Sequence, residues 1–539
     1  MISGVITCTV TAVLTITAYV YCLRYNLHMF QLNGYKNREH MTWLRKYMKR
    51  QWVLYAGSAF ALLWIIARRY LAVDILMWLW LLLIIVVFRA LNGMSVKKKL
   101  VYTARVKRLY ICVVILDIAM ISLGMSIMQR YHGAIDINAL KGLMLLAVSL
   151  KFISPVIGCI VNSPMEKCIN LRFINDAKRR LKEADNMTVI GVTGSYGKTS
   201  VKYYLGELLS VRYNVLITPE SYNTPMGVVK TIREHLKPGT DIFVCEMGAR
   251  HVGDIKEICD IVHPRHGVIT SIGPQHLETF FNMENIKNTK FELADALSAG
   301  GMLFLNGDNV YIQEKAGEYG NKTFYYAESA AGDSGHSTAE GYFASDITVS
   351  QTGTEFTVTA PDGESERFHM RLIGAHNVIN VVGAISVANK LGIALKDLRI
   401  PVRRIEPVPH RMQMREHGLV TIIDDAYNSN PVGSKAAVET LAMFDGVRIL
   451  VTPGMVELGD KEREYNYKFG TYAADCCDYI LLVGRKHTEP IREGVLSKGF
   501  AKDRCLVYDK LEEALSYAYS IKEQGHKYIL LENDLPDNY

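Results

Sequence analysis

Paired cysteines are missing from this 539-residue chain: its ten cysteines include no C-x-x-C, and Cys476 and Cys477 are adjacent. A disulfide framework or zinc ribbon is thereby excluded, and reduced thiols facing a cytosol fit instead. Charge is sparse, 21% against 49% hydrophobic residues, so intrinsic disorder is excluded as well. Acidic residues are scarce in the first 165 positions, where Glu39, Asp74, Asp117 and Asp136 face 19 Lys and Arg. No tryptophan follows Trp80. The remainder holds 42 basic and 50 acidic groups, so the net charge of +7 belongs to one segment and gives no argument for nucleic-acid binding.

What the first segment does have is long apolar runs. A membrane span needs about 20 mostly apolar residues. Ile2–Leu23, Trp52–Ala67, Tyr70–Phe88, Leu109–Met128 and Gly142–Val161 are the candidates, and Arg68-Arg69 between the second and third suggests a tight hairpin. The loops after the first and third runs are rich in Lys and Arg, which keeps them cytoplasmic. Five spans then place the N-terminus outside and everything after Val161 in the cytoplasm. No basic stretch precedes Ile2–Leu23, which argues against a cleaved signal peptide. Asp74, Asp117 and Lys151 fall inside runs, where ionisable groups either pair between helices or line a transport pathway.

The second segment carries a phosphate cradle. The apolar strand Met187–Val192 runs into Thr193-Gly194-Ser195-Tyr196-Gly197-Lys198-Thr199-Ser200, and a helix follows over Val201–Leu209. Backbone N–H groups at a helix start face phosphate oxygens, Lys198 reaches the β- and γ-phosphates, and Thr199 offers a hydroxyl to Mg²⁺. Strict Walker spacing places glycine at 192, where this chain has Val192 with Gly191 one residue early. Glu246 closes the apolar run Asp241–Cys245 at the end of a strand where parallel sheets bind ligands, and with Thr199 it supplies hard oxygens for Mg²⁺. Asn377 and Asn380, three apart, share a helix face and present amides suited to an adenine edge. Arg411, charged in any environment, suits a transferring phosphate.

The T-G-x-x-G-K-T form resembles that of the Mur ligase family, and six further stretches over Met187–Tyr539 follow in that family's order. They are Ser221–Gly227 (S-Y-N-T-P-M-G), Phe243–Ala249, Gly273–Glu278 with Lys290 and Glu292 after it, Gly374–Asn380, Pro409–Gln413 joined with Asp424–Pro431, and Pro453–Gly459. The Y-N-x-N-P and G-M-x-E-L-G forms, with a β-rich insert at Phe343–Met370, are similar to the D-alanyl-D-alanine-adding branch. The resemblance implies that Asn223, Thr224, Tyr427 and Asn428 touch substrate and that Asp425 binds the ribose, with Asp424 one residue away as the rival. It also implies that His276 holds a second Mg²⁺ beside a carbamylated Lys290, for which Lys287 is a nearby rival. Carbamylation would turn a lysine cation into an anionic oxygen ligand.

The expected architecture is α/β: a helical transmembrane bundle (1–165), a linker helix (166–186), a P-loop parallel-sheet ATPase domain (187–406) and a C-terminal Rossmann-like domain (407–539). The expected activity is ATP-dependent, ADP-forming amide-bond formation between a small-molecule carboxylate and an amino acid or dipeptide, through an acyl phosphate and with Mg²⁺. The family's UDP-binding N-terminal domain has no counterpart; the membrane segment stands in its place. That leaves open whether the carboxylate is UDP-linked, lipid-linked or another precursor. Two other classes remain: a P-loop ATPase powering transport through the spans, and a nucleotide-binding assembly scaffold.

Overall fold

A computed structural model describes residues 2–67, 74–93, 99–132, 137–184, 186–328, 341–426 and 429–534. The chain falls into two compact units, Met1–Leu171 and Arg172–Leu535.

The first unit is helical. Among the described residues three of its helices are long and apolar enough to cross a membrane, at Ile6–Leu32, Asp74–Asn92 and Ala104–Tyr131. The first runs nine residues beyond the expected Leu23, because nothing between Leu23 and Leu32 breaks a helix. Trp52–Ala67 is helical but only 16 residues long, and part of the expected Tyr70–Phe88 span, with Arg68 and Arg69, lies outside the described residues. The expected continuous span Gly142–Val161 is instead a bent pair, Ile137–Phe152 and Ser154–Glu183, meeting at 79°. Pro155 has no N–H and disfavours helical geometry in the residue before it, so it opens a new helix rather than extending the old one. That second helix continues to Glu183, so the expected domain boundary at 165 falls inside it.

The ionisable groups in the apolar runs all have partners. Lys151, fully buried at the bend, lies 2.7 Å from Asp117 Oδ2, which also accepts the Tyr19 hydroxyl at 2.5 Å. Asp74 pairs with Lys141 at 2.5 Å. Paired charges of this kind match the helix-packing reading rather than the pathway reading. In contrast, Ile111, Ile115, Ile118 and Leu123 stand 56–64% exposed at three- to five-residue spacing along one helix, a larger uncovered apolar strip than water-facing helices carry.

The second unit holds two sheets. The first has nine strands: β1 (Thr188–Thr193), β2 (Val215–Ile217), β3 (Ile242–Glu246), β4 (His266–Ile269), β5 (Leu303–Asn306), β6 (Thr323–Ala327), β7 (Gly341–Ser350), β8 (Gly353–Thr359) and β9 (Ser365–Met370), in the order β2-β3-β1-β4-β5-β6-β7-β8-β9. Strands β1 to β7 pair in parallel, and β7–β9 form the antiparallel insert expected near Phe343–Met370. Buried on both faces, β1 and β3 read as near-continuous apolar runs. The second sheet has six strands: β10 (Gln413–His417), β11 (Val420–Asp425), β12 (Val447–Thr452), β13 (Tyr479–Val483), β14 (Cys505–Tyr508) and β15 (Lys527–Glu532), in the order β10-β11-β15-β12-β13-β14. Among the described residues only the β10 edge is antiparallel. In the first sheet the chain reverses direction at β1, with β3 on one side and β4 on the other, and ligands bind beyond the carboxyl ends of strands at such switch points.

Candidate functional site

The loop after β1 turns on two glycines in conformations that L side chains rarely adopt, Gly194 (φ +152) and Gly197 (φ +78). A Cβ on Gly197 would sit 2.5 Å from Asn380 Oδ1, and one on Gly194 would collide with Thr270 Oγ1, so both positions require glycine. The loop leans on the segment after β4: Ser195 N donates to Ser271 O (2.6 Å), Ser195 Oγ to Gly273 O (3.0 Å) and Thr270 Oγ1 to Tyr196 O. Thr193 is buried and donates through Oγ1 to Met247 O, which ties the loop's start to β3. The helix opens at Lys198. Lys198 Nζ donates to the carbonyls of Gly194 (2.7 Å) and Ser195 (2.9 Å), and desolvation pushes the amine down to about 8 against the opposing charge of Glu246.

Glu246 ends β3 almost wholly buried. Its Oε1 accepts from Thr199 Oγ1 (3.0 Å) and Asn223 Nδ2 (3.1 Å), while Lys202 Nζ stands 3.0 Å from Oε2 as an ion pair outside hydrogen-bond geometry. Burial pushes this carboxyl up, but Lys202 and Lys198 outweigh it and hold the group below the usual range. The Glu246 carboxylate and the Thr199 hydroxyl, 3.0 Å apart, are a pair of hard oxygens of the kind a divalent cation takes. Lys202 went unremarked in the sequence, although it lies four residues after Lys198 on the same helix face. It is fully buried and also donates to Glu220 O at 2.6 Å, tying the P-loop helix to the segment leading into Asn223.

Lys290 is buried near Lys198, and desolvation followed by that neighbouring charge holds its amine well below the ordinary lysine range. A neutral amine is the form that carbon dioxide can carbamylate. The rival Lys287 is committed to ion pairs with Glu284 (2.8 Å) and Glu314 (3.1 Å). His276 Nδ1 lies 2.6 Å from Glu457 Oε2. Among the described residues no three His, Cys, Asp or Glu side chains cluster as a cage, so any cation here depends on Thr199, Lys290 or substrate oxygens as well.

Beside the cradle opens a cavity of about 670 Å³ between the two sheets' ends. Tyr196, Gly197, Ser200, Asn377, Asn380, Arg411 and Asp425 line it, together with Asn306, Asn309, Ser429 and Glu532, which the sequence reading did not single out. Asp425 accepts from Met412 N (3.1 Å) and is pushed up to about 7 by burial and by Glu532; Asp424 is instead engaged by His410 (2.9 Å) and Arg415 (3.3 Å). Thr224 does not reach this cavity: its hydroxyl caps the helix Pro225–His235 by accepting from Gly227 N. The placements of Tyr427 and Asn428 lie outside the described residues.

Glu532, wholly buried, accepts from Thr452 Oγ1 (2.7 Å) and Ser429 Oγ, yet burial pushes it up to about 7. An unfolded glutamate titrates near ~4.3. Between these values the folded chain holds a proton that the unfolded chain has released, so raising the pH favours unfolding. We expect stability against urea to fall from pH 5 to pH 7.5 and this slope to flatten in Glu532→Gln; an unchanged slope would contradict the assignment.

Comparison with known proteins agrees with this geometry. The Mur ligase middle domain matches residues 192–388, and the Mur ligase glutamate ligase domain matches residues 410–531. A UDP-N-acetylmuramoyl-tripeptide–D-alanyl-D-alanine ligase of Bacillus subtilis is 32% identical over 356 residues, covering 65% of this chain and 73% of the relative. The protein of the same name from Escherichia coli is 30% identical over 325 residues, covering 59% and 69%. Among solved structures, MurF from Acinetobacter baumannii superposes with a TM-score of 0.61 at 25% identity, covering 69% of this chain and 78% of that one. MurF ligase from Thermotoga maritima in complex with ADP gives 0.60 at 25%, covering 68% and 80%. The chain therefore belongs to the Mur ligase family and is an ATP-dependent, ADP-forming amide-bond ligase.

Proposed function

We propose that this chain is a membrane-anchored ligase joining D-alanyl-D-alanine, or an amine like it, to the carboxylate of a cell-wall peptide precursor. The observation that carries the chemistry is the phosphate-cradle loop whose Tyr196, Gly197 and Ser200 line a nucleotide-sized cavity, with the Glu246–Lys202 pair buried behind it. A carboxylate resists attack by an amine because oxide is a poor leaving group. Transfer of the γ-phosphoryl group onto it gives an acyl phosphate, from which phosphate leaves readily. The cradle orients the triphosphate through backbone N–H groups, and Lys198 and Arg411 offset charge that develops on the transferring oxygens. Asn377 and Asn380 face the base and Asp425 the ribose. Mg²⁺, held by Thr199 and Glu246 and at a second place by His276 and Lys290, would neutralise phosphate charge. Closing the site against water protects the acyl phosphate from hydrolysis.

The uncovered apolar strips on the first unit support insertion in a bilayer, with the catalytic unit on the cytoplasmic side. A membrane-embedded enzyme can draw its acceptor from solution as a UDP-linked peptide or from the bilayer as a lipid-linked one. Purified chain in lipid nanodiscs, given Mg-ATP, D-alanyl-D-alanine and either acceptor, should release ADP in step with amide product. Turnover with neither acceptor, alongside turnover with an unrelated acid–amine pair, would reject the cell-wall assignment. Membranes washed with alkaline carbonate should retain the chain; its release into the supernatant would reject the anchored reading.

A further inference from the structure

His276 and Glu457 meet across 181 residues of sequence, one from the segment after β4 and the other from the loop after β12. The contact is short, 2.6 Å between Nδ1 and Oε2, and both side chains are largely shielded from solvent. A carboxylate oxygen can only accept, so across this 2.6 Å contact Nδ1 is the donor. That leaves Nε2 as the ring nitrogen with a free lone pair in the neutral imidazole.

Each partner is held in place by strained backbone. His276 (φ +54) and Glu457 (φ +65) both occupy the left-handed region, which non-glycine residues rarely adopt and which persists only where the surroundings enforce it. On the Glu457 side the enforcement is visible. Buried Asn466 clamps the loop by accepting from Met455 N and donating to Met455 O, both at 2.9 Å, and Gly454 N donates to Thr452 Oγ1 at 3.1 Å. Arg250 Nη2, 3.7 Å from Glu457 Oε1, holds the second oxygen.

We propose that Glu457 is the positioning residue of His276: by accepting the Nδ1 proton it fixes the tautomer that offers Nε2 to a divalent cation, and because it stands on the glutamate-ligase half, the His276 cation place is complete only when that half is docked on the central one. A carboxylate behind a ligating imidazole orients the ring and raises its basicity, and losing such a partner typically costs about 10- to 100-fold in metal affinity. Coupled in this way, His276 and Glu457 would offer a complete cation place only with the two halves docked, which would restrain idle hydrolysis of ATP when they part. This inference rests on the proposed ligase reading and adds a residue to it.

The test counts Mn²⁺ bound to the full-length chain in nanodiscs with a non-hydrolysable ATP analogue, by electron paramagnetic resonance. Wild-type chain should hold two ions. Glu457→Ala should keep one with unchanged affinity and bind the other about 10- to 100-fold more weakly. Glu457→Gln, whose amide oxygen still accepts from Nδ1, should recover most of the loss. Equal binding by wild type and Glu457→Ala, or no recovery in Glu457→Gln, would overturn the inference. A wild-type chain that takes nucleotide with a single ion overturns it too, whereas a chain that takes no nucleotide overturns the ligase reading itself.

Discussion

Lys198→Ala should lower kcat by at least about 10²- to 10³-fold, the usual consequence of removing one preorganised charge from the site of developing negative charge. The fold should survive the change, because the Lys198 amine touches only the carbonyls of Gly194 and Ser195, groups of its own loop. Desolvation pushes the amine down to about 8, and a partly shielded cation acts on phosphate oxygens more strongly than it would in open solvent. Rates of ADP release and of amide formation should fall together. A loss of less than tenfold, with both rates still coupled, would remove Lys198 from the chemistry.

Lys202→Met should act mainly on stability. Lys202 and Glu246 are 0% and 1% exposed and stand 3.0 Å apart, so the substitution strands a carboxylate in the interior. Breaking a buried pair from one side costs about 3–5 kcal/mol, whereas replacing both partners by apolar residues is often close to neutral. Urea unfolding should therefore show Lys202→Met strongly destabilised and the double variant Lys202→Met with Glu246→Leu much less so. Neither should join its substrates at the wild-type rate, since the first lets Asn223 and the Glu220 segment drift and the second removes the carboxylate beside Thr199. A single variant within about 1 kcal/mol of wild type would contradict the burial on which this reasoning depends.

These two lysines show which features the sequence made legible. Lys198 sits in a seven-residue pattern whose glycines, lysine and threonine each have a reason, so it could be read from spacing alone. Lys202 belongs to no such pattern. Its significance comes from β3, 44 residues away, delivering Glu246 to its amine, a consequence of parallel pairing between β1 and β3 that local periodicity does not encode. Glu532 escaped for the same reason: it is opposite Asp425 only because β15 inserts between β11 and β12. The apolar strands and the β7–β9 insert were readable because alternation and run length are local properties. The bend at Pro155 was not read from a hydropathy run, since mean apolarity over Gly142–Val161 is blind to where a backbone N–H is missing. Thr224, expected against substrate, also caps its own helix by accepting from Gly227 N, a role that a motif position does not announce.

In the proposed reaction the γ-phosphoryl group of ATP passes to the acceptor's carboxylate before the amine attacks. Oxygen-18 placed in that carboxylate tests it most directly, with turnover followed by mass analysis of the released phosphate. Each released phosphate should carry one labelled oxygen for every amide formed. Phosphate that carries no label while amide accumulates would contradict it.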